Sequence, residues 1–137
     1  MSAISALMAF VIWTILLALS YATYRVPVML TGKKKATHWE RNSSDPVDDP
    51  PILQRAKAAH MNCVENLPLF AAVVLAGIAT DQSAVVNSVA AYVFYARLAQ
   101  SGIHLVGTSF ILISIRATFF LIQIFLMLYM AFALFGG

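Results

Sequence analysis

The sequence predicts an all-α integral membrane protein, a bundle of four transmembrane helices making a single domain over residues 1–137. Of the 137 residues, 61% are hydrophobic and only 11% charged. The mean hydropathy is +0.80, well outside the range of a soluble domain of this length. Residues 3–24, 84–106 and 110–135 form three apolar runs, each long enough to cross a hydrocarbon core of about 30 Å at roughly 1.5 Å per helical residue. None of them alternates in the manner of a barrel strand, which takes about 10 residues.

The first run carries no charged residue. Small residues at Ala18, Ser20 and Ala22 offer a cleavage-like site, but no Lys or Arg precedes Trp13 and the run is longer than a signal core. It reads as a retained crossing. Residues 31–51 then form a polar, proline-rich loop ending in Asp49-Pro50-Pro51, where prolines suit a first helical turn and Asp49 suits the cap, so a second helix should begin near Pro50. Within that helix only residues 67–80 lack ionisable side chains, about 14 residues where a crossing needs about 20. The crossing must therefore take in the polar stretch before it, including Glu65, at a cost of several kcal/mol unless a partner meets the charge. Pro68 removes a backbone hydrogen bond just beyond Glu65 and is expected to open space there. The third run contains Arg97 and His104 and the fourth Arg116, with a short turn at residues 107–109 between them.

Charge sets the expected orientation. Arg25, Lys33, Lys34, Lys35, Arg41, Arg55 and Lys57 lie between the first two crossings, whereas Asp81 alone is charged in the next link. The basic loop should face the cytoplasm and both termini should lie outside it, as in a bacterial inner-membrane protein. Residues 33–35 serve as a topology determinant or touch anionic lipid head groups, worth about 1 kcal/mol per charge. Asn42-Ser-Ser44 matches a glycosylation sequon that this orientation keeps from the modifying machinery.

At 100° per residue, Arg55, Asn62, Glu65 and Asn66 share about 100° of arc on the second helix. Arg97, Gln100, Ser101 and His104 share a similar arc on the third helix, and Arg116 and Gln123 stand on one side of the fourth. With cytoplasmic ends near Gln54, Val106 and Phe110, Glu65 lies about 16 Å deep, Arg97 about 14 Å and Arg116 about 9 Å. A Glu65–Arg97 pair is expected, with Arg55 and Arg116 around the same cavity. Three arginines against one carboxylate favour an anionic ligand from the cytoplasm, while the lipid side admits a lipophilic small molecule. Equally, polar stripes can hydrogen-bond one another as helix glue.

Other residues carry simpler readings. Cys63, the lone cysteine, fits as a small apolar filler and permits no intrachain disulfide. His60 points about 160° away from Asn62 and should meet a neighbouring helix or subunit. Neither His60 nor His104 has a Cys or carboxylate at metal-ligand spacing, so no metal is expected. Trp13, Tyr21, Tyr24 and Trp39 suit membrane interfaces or packing, and Phe119, Phe120 and Phe125 suit lipid contact or core. No phosphate loop, Ser/His/Asp arrangement, nucleic-acid motif or internal repeat is present, and nucleic acid is not an expected partner.

The run Arg55-Ala-Lys-Ala-Ala-His-Met-Asn-Cys-Val-Glu-Asn-Leu-Pro-Leu-Phe70 resembles the second-helix signature of the MAPEG family, the membrane-associated proteins of eicosanoid and glutathione metabolism. Asn-x-x-Glu followed by Pro-Leu-Phe is its specific part. Length, four crossings, the basic first loop, Ala96-Arg97-Leu98 and an arginine early in the fourth helix agree with it. The resemblance implies a homotrimer binding glutathione between subunits near the cytoplasmic side, as a glutathione transferase or peroxidase of bacterial type. Carried over by position, Asn62 and Glu65 would hold the glutathione backbone, Arg55 and Arg97 its charged groups, and Arg116 would stabilise the thiolate. Asn66, Gln100, His104 and Phe120 would complete the pocket. Glutathione-using members commonly place an arginine where this chain has Ala58, and tyrosines of the third and fourth helices stand replaced by Gln100, His104 and Phe120. The alternative is a non-catalytic trimer that binds a lipid or protein partner in the same intersubunit groove.

Overall fold

A computed structural model describes residues 1–40 and 48–136; Arg41 and the sequon at Asn42 lie outside the described residues. Four long helices account for most of the chain: α1 (Ala3–Leu30), α2 (Pro51–Ala79), α3 (Ser83–Val106) and α4 (Phe110–Phe135), with one turn of 3₁₀ helix at Ala36–Trp39. The protein is an all-helical membrane bundle. Short turns join α2 to α3 and α3 to α4, as the sequence predicts, so each pair runs antiparallel. The bundle thus has a loop end, carrying the α1–α2 loop and the α3–α4 turn, and a termini end.

Each helix starts and stops for a local reason. Ser2 caps α1 by accepting from the Ser5 N–H at 3.1 Å, and Ser109 caps α4 by accepting from the Leu112 N–H at 3.3 Å. α1 runs to Leu30, beyond the apolar run that ends at residue 24, because Arg25 finds a buried partner instead of forcing the chain into water. It stops at Thr31, after which Gly32 takes a left-handed φ of 76° that favours glycine. α2 opens on Pro51 and continues through Pro68 without a break.

Asp49 does not cap α2, contrary to the sequence expectation. Its carboxylate accepts from Arg25 Nη2 at 2.8 Å and Nε at 3.1 Å and from Trp39 Nε1 at 2.9 Å, while its backbone carbonyl receives Gln54 Nε2 at 2.7 Å. A two-point arginine pair outweighs a single capping bond. Arg25 in turn lies over the rings of Tyr21 and Trp39, at 5.1 and 5.3 Å. Asp48 pairs with Lys34 and with His38. This latch ties the loop to α1 and to the start of α2. Burial alone pushes the Asp49 carboxyl up, but hydrogen bonds from Trp39 and Arg25, with the charges of Arg25 and His38, hold it below the usual carboxylate range.

The core lies where α1, α2 and α3 meet. Leu7, Phe10 and Leu17 of α1 pack with Cys63, Phe70 and Val74 of α2 and Val86 and Val93 of α3. Phe10 and Phe70 stack with ring centres 5.6 Å apart. Gly77 allows α2 and α3 their close approach, since a Cβ there would stand 2.6 Å from Val86 Cγ1. α4 packs chiefly on α3 and less on α2, and its outer face is largely Ile, Leu and Phe. Such a surface is stable only in lipid, where van der Waals packing and interhelical hydrogen bonds hold the helices together. α1, α2 and α4 are each long and apolar enough to cross a membrane.

Candidate functional site

The polar stripes of α2, α3 and α4 face one another. Asn62 Oδ1 accepts from Arg97 Nη1 and, at 3.2 Å, from Gln100 Nε2. Gln100 Oε1 accepts at 2.7 Å from Gln123 Nε2, which also donates to the Phe119 carbonyl at 3.1 Å. One hydrogen-bonded chain therefore links three helices through the half-buried Asn62 and the buried Gln100 and Gln123. Asn66 stays on its own helix, its Nδ2 donating to the Asn62 carbonyl at 2.8 Å. Cys63 Sγ and Ser101 Oγ lie 3.6 Å apart, both buried.

Towards the loop end the stripes become cationic. Arg55 Nε donates at 2.9 Å to the carbonyl of Leu105, an acceptor left over at the end of α3. Arg55, His104 and Arg116 stand half-buried toward the loop ends of α2, α3 and α4. Phe120 lies half-buried on the same side of α4 as Arg116 and Gln123.

Glu65 and Arg97 do not pair in the protomer. Glu65 stands three residues past Asn62, about 60° short of a full turn, which carries it off the α2–α3 seam onto the exposed face of α2. Arg97 turns the other way. It is 1% exposed, beside the Cys63 thiol, with its Cζ 5.5 Å from the centre of the Phe10 ring. Its Nε and Nη2 are buried without a hydrogen-bond partner. One turn beyond Glu65 on the same face, Leu69 and Ala72 begin an apolar cleft of about 330 Å³ between α2 and α4, closed by Val73, Ile124 and Met127.

His60 meets another helix, as its direction on α2 predicts: its Nδ1 lies 2.7 Å from the Tyr21 hydroxyl of α1. Sequence reading missed the Arg25–Asp49–Trp39 latch, whose members are far apart in the chain and share no spacing. It also missed Tyr92 and Tyr95 on the outward face of α3, 61% and 52% exposed. Their three-residue spacing on the side away from Arg97 and Gln100 was the available signal.

The MAPEG family model matches residues 3–136, and the chain belongs to that family. No curated protein and no solved structure matches the chain. Membership makes this a helical membrane protein of a family whose members commonly use glutathione.

Proposed function

We propose that this protein is a membrane-bound glutathione transferase or peroxidase that activates the glutathione thiol beside Arg116 for attack on a lipophilic electrophile or hydroperoxide. The observation that carries this reading is the hydrogen-bonded seam of Asn62, Arg97, Gln100 and Gln123 across three helices, with Arg55 anchored on the Leu105 carbonyl of α3 and Glu65 exposed on α2. Glutathione carries two carboxylates, an ammonium and a thiol. Arg55 matches a carboxylate, Glu65 the ammonium, and the unengaged Asn62 Nδ2 a peptide carbonyl. Arg116 favours the thiolate; a thiol pKa lowered by two units corresponds to about 2.7 kcal/mol. Arg97, facing inward, positions Asn62 for this task. The apolar cleft beginning at Leu69 suits the lipophilic partner.

Glu65 also supports the homotrimer. A carboxylate on an open helix face in lipid costs several kcal/mol, and a neighbouring subunit covers it. With α2 and α4 crossing and short turns at both ends of α3, α3 must cross as well, giving four spans. The basic loop then faces the cytoplasm of a bacterial inner membrane and both termini face out. Ala58, on the exposed side of α2 where glutathione-using relatives carry arginine, favours the second reading: a non-catalytic trimer with a lipid or protein partner in the groove. Turnover separates the two. The enzyme conjugates glutathione to an activated aryl halide or reduces a lipid hydroperoxide, and Arg116→Ala lowers that rate at least tenfold; no turnover in the wild-type protein leaves the second reading.

A further inference from the structure

A side-chain amide has two orientations that fill the same space, and only its hydrogen-bond partners select one. In the seam between α2, α3 and α4 the choice is set from both ends. A guanidinium can only donate, so Arg97 requires the oxygen of Asn62 to face it. At the other end the Phe119 carbonyl can only accept, so Gln123 turns its nitrogen there and gives its other N–H to Gln100 Oε1 at 2.7 Å. Gln100 must then offer nitrogen to Asn62, as it does at 3.2 Å. This polarity holds even though it leaves Gln123 Oε1 buried without a partner, because turning that amide over would set its oxygen against the Phe119 carbonyl.

Gln100 and Gln123 are both buried, whereas Asn62 stands at the edge of the seam. Around α2 it has the buried Ala59 and Cys63 on one side and the exposed Ala58 and Glu65 on the other. Its Nδ2 has no partner among the described residues and is not shut off from the surface. We propose that Gln100 and Gln123 are positioning residues that act behind the site: with Arg97 they lock the Asn62 amide oxygen-inward. The open face of α2 then presents a donor at Asn62 and selects a ligand with a carbonyl or carboxylate oxygen at that point. An amide free to turn would spend part of its time presenting oxygen to oxygen, and a group held from behind avoids that loss. Naming glutathione as the ligand rests on the reading above; the orientation of the amide does not.

The test compares the full-length protein in detergent with Gln100→Glu, a variant of equal size that can only accept and so draws the Asn62 N–H inward. Its carboxylate lies near Arg97, and it melts no lower than wild type. Its affinity for glutathione, measured by titration calorimetry, falls at least tenfold all the same. Packing alone would leave a variant that melts like wild type binding like wild type. The second readout needs no ligand: hydrogen exchange of the Asn62 side-chain amide, whose magnetic-resonance signal is identified by its absence in Asn62→Asp. The exchange is fast in wild type, where the group faces the open side of α2, and is slowed at least tenfold in Gln100→Glu. Should that variant not fold, Gln123→Met, one helix further back, must weaken glutathione binding at least threefold and slow the same exchange. Wild-type binding that is unchanged in the variant that folds, an Asn62 amide protected in wild type, or one equally open in the variant overturns the proposal. A wild type that binds no glutathione overturns the glutathione reading, and exchange at Asn62 then decides this one.

Discussion

Asn62 is where three helices are joined, since its side-chain oxygen serves both Arg97 and Gln100. Asn62→Ala removes the side-chain oxygen that accepts from the buried Arg97, and should cost about 3 kcal/mol in urea unfolding from detergent. Gln123→Leu, which removes only the outer member of the chain, should cost about 1 kcal/mol. The stripe positions of Asn62, Arg97, Gln100 and Gln123 were legible in the sequence, because helical periodicity alone puts them on common faces. The partner of each was not. Depth along the helix placed Glu65 level with Arg97, but a rotation of about 60° sent one outward and the other toward Phe10, and no spacing rule reports which face α1 will cover.

At the level of elements, the latch makes stability depend on pH. The Asp49 carboxyl is held below its unfolded value, so its contribution is fully present above the ordinary carboxylate range and is lost as pH falls through the folded value. The melting temperature should therefore fall on acidification, and Asp49→Asn should lower it at neutral pH while flattening its acid-side decline. The α2–α3 hairpin gives a second measurable case. Gly77→Val drives a side chain into Val86, which is fully buried, and should cost about 2 kcal/mol in the same unfolding assay, with partial recovery in the Val86→Ala background. Helix number and most helix ends were legible from the apolar runs and the prolines. The continuation of α1 to Leu30 was not, since it rests on an Arg25–Asp49 contact across 24 positions of chain.

As a whole molecule, the bundle sets amides at its middle, cations at its loop end and the α2–α4 apolar clefts toward its termini, an order that suits joining a water-soluble anion to a lipophile. A reporter active only outside the cytoplasm, fused after the last residue, should be active if the basic loop faces inward. Composition was enough to establish the membrane class, while the exposure of Glu65 was not legible, because rotation about α2 and not depth along it sets which face the side chain takes. The most direct measurement is an ultraviolet difference titration of the detergent-solubilised protein with glutathione at neutral pH. A saturable thiolate band in the wild type that is absent in Arg116→Ala is the expected result. A wild type with no thiolate band, or an equal band in Arg116→Ala, contradicts the assignment of thiol activation to this site.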